Sequence, residues 1–300
     1  MDFNKKKVQE LIDEEIIFPP MDGNHGEKHP KTSDYVDDGI PFILVPDLVD
    51  GLVDLEHCNH ISKAQADTLS KGISITGDVL FTHKATIGKV AIVDTRDNEY
   101  IILTPQVTYY RVKNPDVLDN RYLYYYFKSN YFQYIFKLYA SSGGTRDYLG
   151  IVAQRKLPII FPDISVQKYI VSILVPYDDL IANNNKRIKI LEQMAENLYK
   201  EWFVRFRFPG YETAEFVDGV PKDWSVVKLH NYVDIKAGGD RPNLCKNIPD
   251  DKCNIPIYSN GINNDGLYGY TTEAVIKKES ITISARGTVG FVCLRRKPFV

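Results

Sequence analysis

The sequence predicts an α+β protein in which mixed, β-rich domains are joined to a long coiled-coil spacer helix. Three observations carry this. Between residues 41 and 111, short β-branched runs (PFILV, GISI, DVLFT, KVAIV, YIILT and VTYYRV) alternate with turn residues, the pattern of half-buried strands. Beyond residue 176, the apolar positions Tyr177, Ile181, Ile188, Leu191, Ala195, Leu198 and Trp202 step by 4, 7, 3, 4, 3 and 4, the rhythm of a coiled-coil seam. Finally, two β-type stretches of the first half recur in the same order near the end of the chain, which favours duplication of a domain.

Taken in order, residues 3 to 17 read as a short amphipathic helix stopped by Pro19 and Pro20, since proline lacks the backbone N–H that a helix needs. The following stretch MDGNHGEKHPKTSDYVDDG is a loop by its Gly, Pro, Asp and Asn content. After the β-rich region comes RYLYYYFKSNYFQYIFKLY, residues 121 to 139. It reads as one amphipathic helix with its rings buried, stacking on bases being the alternative use of such rings. The turn SSGGTRDYLG and the strand KLPIIF, closed by Pro162, complete a first domain over residues 1–165. A helical region spans 166–208: a short helix to Val175, then a second starting at Pro176 and unbroken to about Val204. Residues 177 to 204 would extend ~42 Å at ~1.5 Å per residue. Asn184 fills the gap in the seam, and a polar residue there fixes register and partner number at a cost in stability. The alternative is a packing helix inside one globule. Pro209 and Gly210 break the pattern, and a second β-type domain occupies 220–300.

The repeat is specific at two anchors. GDVLFTHKATIGKVAI (77–92) aligns with ESITISARGTVGFVCL (279–294), so that Lys84, Thr86, Gly88 and Val90 meet Arg286, Thr288, Gly290 and Val292 at an offset of 202. Ile40-Pro41 with Asp50-Gly51 recurs as Ile255-Pro256 with Asp265-Gly266, at an offset of 215. Counterparts of the aromatic helix, the SSGGTR turn and the long helix are expected to be missing from the second copy. Such an incomplete β unit would expose apolar surface and strand edges.

Composition narrows the function classes. The formal net charge is −2, so no global positive field draws the chain onto nucleic acid, and any contact must be local. The four cysteines (Cys58, Cys245, Cys253 and Cys293) show no CxxC spacing, and the N-terminus is charged and amphipathic rather than a signal peptide. We therefore expect a cytoplasmic protein with reduced thiols. No uncharged apolar run approaches the ~20 residues of a membrane span.

Enzymatic readings lack residues. Phe18-Pro19-Pro20-Met21 has the prolines of an N/D-PP-Y/F methyltransferase motif but neither the preceding amide nor the following aromatic. Asp250-Asp251-Lys252 is too short a match for a metal-dependent nuclease. His57, Cys58 and His60 have no second ligand pair, and a structural zinc needs four spaced ligands.

The ordered series GDVLFTHKATIGKVAIV, TPQVTYYRV, YLYYYFKS, SSGGTRDYLG, LPIIFPDISVQKYIVSIL and DDLIANNNKRIKILEQMAENLYKEWF resembles the recognition domain and central conserved region of Type I restriction-modification specificity subunits. PKDWSVVKL, KAGGDRP and TISARGTVGFVCL resemble the opening half of another such domain. The resemblance implies two target-recognition domains held apart by paired helices, each reading one half of a split site in double-stranded DNA. It also implies a modification subunit that binds S-adenosylmethionine and a restriction subunit that hydrolyses ATP as partners, with no cofactor and no catalysis in this chain. The second spacer helix is not found in this sequence, and a homodimer lending its own helix would replace it.

Loops should make the DNA contacts, because donors and acceptors read base edges while Lys, Arg, Ser, Thr and backbone N–H groups hold phosphates. The candidates are His83, Lys84 and Thr86, and the turn Ser141, Ser142, Gly143, Gly144, Thr145 and Arg146. In the second copy they are Arg241 after Gly238-Gly239, Arg286 and Thr288, with Asn24, His25 and Lys28 as weaker ones. A scaffold binding only proteins is the competing reading. It would lack salt-dependent DNA affinity.

Overall fold

The computed structural model describes residues 3–94, 98–140 and 148–300. The chain forms two compact units, one reaching to Leu198 and one spanning Tyr199–Val300.

In the first unit the chain order is β1 (Asn4–Lys7), α1 (Val8–Asp13), β2 (Met21–Asp22), β3 (Tyr35–Val36), β4 (Ile40–Ile43), β5 (Leu48–Val49), β6 (Leu52–Val53), β7 (Asn59–Ile61) and α2 (Lys63–Ala66). There follow β8 (Ile73–Ser74), β9 (Val79–Thr82), β10 (Val90–Ile92), β11 (Ile101–Leu103), β12 (Val107–Tyr110), α3 (Asn120–Lys128), α4 (Asn130–Ala140), α5 (Ile151–Gln154), β13 (Pro158–Phe161) and α6 (Ile164–Tyr199). Every β-branched run singled out in the sequence is a strand.

Two mixed sheets face each other. The six-stranded sheet runs β2-β12-β9-β10-β6-β5 and the five-stranded sheet β3-β7-β4-β11-β8. Strands β10/β6 and β4/β11 are the parallel pairs. Because side chains alternate along a strand, Leu80 and Ala91 turn to the layer between the sheets, with Ile43, Ile101 and Leu103 opposite. Their neighbours Val79, Phe81 and Val90 turn outward under α3 and α4. On the far side, Phe42, Ile61 and Ile102 bury Ala66 of α2. The aromatic segment is thus core: Phe81 lies 5.7, 5.7 and 4.2 Å, centroid to centroid, from Phe127, Phe132 and Phe136.

Three expectations are corrected. Residues 3 to 17 are not one helix, because Asn4–Lys7 pairs antiparallel with β13, a non-local partner that local periodicity cannot reveal. Its three lysines suit an edge strand. The aromatic helix is two helices, since Ser129 takes an extended ψ of 144° and its Oγ accepts from Phe132 N at 3.2 Å, capping the second helix. This break lets both Phe127 and Phe132 reach Phe81. Lastly, α6 passes through Pro176 without interruption. Proline removes one backbone donor, but the turns before it pack on the core through Ile170 and Val171. The turn after it is tied down by Tyr125, whose hydroxyl donates to Asp178 Oδ2 at 2.8 Å. A π-helical turn, Lys200–Val204, follows α6.

Beyond the first unit's core, α6 is bare. Tyr177, Ile181, Ile188, Leu191 and Leu198 of the seam are each more than half exposed. No helix among the described residues is long and apolar enough to cross a membrane.

The second unit consists of hairpins: β14 (Phe216–Val217) with β15 (Val220–Pro221), β16 (Ile255–Tyr258) with β17 (Leu267–Thr271), and β18 (Ser280–Ile283) with β19 (Val292–Arg295). Trp224 sits among Phe203, Phe206 and Phe208 at 5.9, 5.5 and 5.9 Å.

Candidate nucleic-acid interface

Lys84 and Thr86 sit on the tip that joins β9 to β10, and both are exposed. The tip is closed by Thr82 N donating to Lys89 O at 3.0 Å and Gly88 N donating to Thr82 O at 2.9 Å. Ala85 holds φ at 66° and Gly88 at 86°. A left-handed alanine is uncommon and needs surrounding support. Gly88 is required twice over, because a Cβ there would stand 2.5 Å from Gln133 Oε1, whose amide nitrogen donates to Gly88 O at 3.0 Å.

The base of the tip is held from below. Leu149 N donates to His83 O at 3.0 Å and Lys84 forms a β-bridge with Tyr148. The hairpin tip therefore lies beside the residues that follow the SSGGTR turn. Ser141, Ser142, Gly143, Gly144, Thr145 and Arg146 lie outside the described residues.

His83 does not itself reach a surface. Its ring is fully buried, with Nδ1 2.8 Å from Thr108 Oγ1. Thr108 Oγ1 accepts from Gln154 Nε2 at 3.1 Å, and Gln154 Oε1 accepts from Tyr110 OH at 2.9 Å. With that acceptor role filled, the Thr108 hydroxyl proton can go to Nδ1, which leaves the ring proton on Nε2. Nε2 has no hydrogen-bond partner and faces Asp22 Oδ2 at 3.9 Å. Asp22 is engaged by His25 Nε2 at 3.0 Å. The role left to His83 is to position Lys84 and Thr86.

Burial pushes the His83 imidazole down to about 4, the Asp22 carboxylate opposing this only in part. A group with a depressed imidazole value leaves the folded state short of protons relative to the unfolded chain, whose histidine titrates near 6.5. Stability from this source is complete above pH 6.5 and is lost as pH falls towards 4, by ~3 kcal/mol in all. Urea unfolding at pH 7 and at pH 4.5 should show a larger acid loss in the parent chain than in His83→Asn. Equal losses in both would contradict this account of the ring.

The weaker candidates divide. Asn24 is buried, its Nδ2 donating to Lys71 O at 2.7 Å, so it ties two loops together. His25 and Lys28 are exposed. Asp22, His25, Lys71, Tyr148 and Lys156 line one cleft of about 780 Å3 beside the tip. Asp22 and Gln154 had no signal in the sequence, since pairing of β2 with β12 and of α5 with Thr108 is what brings them there.

In the second unit Arg286 and Thr288 are exposed on the tip joining β18 to β19. This tip repeats the first at an offset of 202. Ser284 N donates to Phe291 O and Gly290 N to Ser284 O, both at 2.9 Å. Gly287, the counterpart of Ala85, has φ 70°, and Gly290 has φ 86°. The other anchor repeats its turn: Asp50 and Gly51 have φ 52° and 85°, Asp265 and Gly266 53° and 77°. Arg241 is exposed and its Nη1 donates to Tyr268 OH at 3.0 Å. Gly238 and Gly239 meet nothing a Cβ would touch.

No group of three His, Cys, Asp or Glu side chains among the described residues could hold a metal. His57 pairs with Asp54 at 2.9 Å, while burial pushes the Cys58 thiol up to about 11. That places Cys58 among inert, packed cysteines.

The first unit is a two-sheet body whose last helix carries a bare apolar seam, and the second unit repeats the first unit's hairpin tip. The family model for the Type I restriction modification DNA specificity domain matches residues 17–193 and 221–300. The chain belongs to that family. Relatives include two proteins of Methanocaldococcus jannaschii: one assigned as the MjaX type I restriction enzyme specificity subunit (27% identical over 267 residues, 85% of this chain) and the MjaIX type I specificity subunit (28% over 225 residues, 71% of this chain). The chain spans 62% and 49% of their respective lengths. The fold is that of the Type-I restriction-modification system S subunit from M. genitalium, with a TM-score of 0.54 at 15% identity, covering 100% of this chain and 70% of that one.

Proposed function

We propose that this chain is the DNA-reading component of a Type I restriction-modification complex and brings catalytic subunits to a split site. The observation that carries the reading is the hairpin tip built twice, with Lys84 and Thr86 on one copy and Arg286 and Thr288 on the other. Both tips fall inside the matched segments. On this reading residues 1–165 are a first recognition domain, 166–208 the spacer and 220–300 a second recognition domain. A basic side chain, a hydroxyl and a projecting backbone suit phosphate and base-edge contacts. The partners are double-stranded DNA, a modification subunit and a restriction subunit. The test is selection from a random duplex library by the chain assembled with its modification subunit. Enrichment of one split motif is the expected result, and retention without any enrichment contradicts it.

The seam on α6 calls for a second helix. A second copy set antiparallel would pair Ile188 with Leu191, Asn184 with Ala195 and Ile181 with Leu198, matching branched with branched and small with small side chains. Leu191→Asp would then bury a charge in the seam and weaken self-association by at least about 100-fold, read by light scattering across a dilution series. An unchanged mass distribution would count against pairing through this helix.

A further inference from the structure

Near its start α6 is held, weakened and held again. Gln167 is fully buried. Its Nε2 donates to Val117 O at 2.9 Å and to Pro162 O at 2.7 Å, and its Oε1 accepts from Asp119 N at 2.9 Å. One turn on, Ile170 and Val171 pack on the core. The next turn is the weak one. Ser172 Oγ donates back to Tyr169 O at 2.7 Å, a bond that slightly destabilises helices and often bends them. Pro176 then brings no N–H, so the Ser172 carbonyl lacks its helical donor.

Two residues past the proline, Tyr125 OH donates to Asp178 Oδ2 at 2.8 Å. Burial, followed by the bond to Asp178, pushes the Tyr125 hydroxyl above its usual range, so it stays the donor. Asp178 is the last residue of α6 that is not exposed, and residues 179–199 all are. At ~1.5 Å per residue that bare stretch is ~31 Å long. A swing of about 6° at Asp178 moves its far end by ~3.3 Å, close to the ~3.4 Å between successive base pairs. The same helix ties this strap to the reading tip. Phe127 of α3, two residues from Tyr125, packs on Phe81 of β9 at 5.7 Å, and β9 runs into the tip that carries Lys84 and Thr86.

We propose that the Tyr125–Asp178 hydrogen bond fixes the direction in which α6 leaves the first unit, and that Tyr125 and Asp178 are thereby positioning residues for the number of base pairs accepted between two half-sites. Neither side chain needs to touch DNA, since both act through α6. This role presupposes that the chain reads a split site, and it adds to that reading the residues that set the spacing.

The test is duplex-library selection by the chain assembled with its modification subunit, scored separately for half-site sequence and for spacing. The parent chain should enrich one spacing. Tyr125→Phe keeps the ring and removes only the hydroxyl. It should enrich the same half-sites, with the preference for the parent spacing over spacings one base pair longer or shorter reduced about ten-fold, the worth of one hydrogen bond to a charged group. Asp178→Ala should do the same, while Asp178→Asn, whose side-chain oxygen still accepts, should keep most of the preference. Pro176→Ala in the Tyr125→Phe background should narrow the spacing again, because an unbroken ladder needs no strap. A contribution to folding alone would lower recovery equally at every spacing. A parent preference that Tyr125→Phe and Asp178→Ala leave unchanged overturns the proposal, as does an altered half-site sequence in either variant or loss of all enrichment in both. If the parent chain itself enriches no split motif, the split-site reading falls and the positioning role falls with it.

Discussion

Replacing Phe81 by alanine is expected to lower the unfolding free energy of the first unit by about 4 kcal/mol, the cost of a large buried side chain plus the cavity it leaves. Phe81 is fully buried against three other phenylalanine rings. Phe127 of α3 and Phe132 and Phe136 of α4 all meet it. The matching position in the repeat provides the control. Ile283→Ala alters a residue 66% exposed and should cost under about 0.5 kcal/mol in the chain alone. Urea denaturation followed by tyrosine fluorescence measures both. Equal costs at the two positions would mean that the two hairpins are packed alike, against the account of the fold.

Reversing charge at both tips, with Lys84→Glu and Arg286→Glu together, should weaken DNA binding by on the order of 1000-fold at low salt, about 4 kcal/mol. The slope of log affinity against log salt should become shallower by about two, one for each phosphate contact removed. Both side chains are exposed on tips whose backbone is held by hydrogen bonds at their base, so folding should be preserved. Fluorescence anisotropy of a labelled duplex across a salt series gives both quantities. An unchanged slope would place the phosphate contacts elsewhere in the chain.

Much of the fold was legible because strand and seam periodicities are local. The runs from PFILV to VTYYRV are strands where the pattern put them, and the bare seam of α6 is the apolar stripe seen in the heptads. What escaped the sequence is non-local. Asn4–Lys7 is a strand only because β13 lies beside it, over 150 residues later. Pro176 is carried inside a helix because Tyr125 holds Asp178 from another element, and a serine cap at Ser129 outweighs an unbroken aromatic pattern.

The candidate site divides the same way. Lys84, Thr86, Arg286 and Thr288 could be chosen from the repeat, and the matched dihedrals at Ala85 and Gly287 follow from it. His83 could not be placed, because its burial depends on Thr108 and Gln154 converging from β12 and α5. Val79, Phe81, Val90 and Ile92 pack in the core of the first unit, whereas their counterparts Ile281, Ile283, Val292 and Leu294 are surface in the second, in line with the exposed apolar surface expected of the second copy.

The most direct measurement is a methylation map of a methylation-free host that expresses this chain with its modification subunit. Modified bases confined to one split motif are expected, with a palindromic motif if two copies pair through α6. Unmodified DNA from cells in which the two subunits are shown to associate would contradict that expectation.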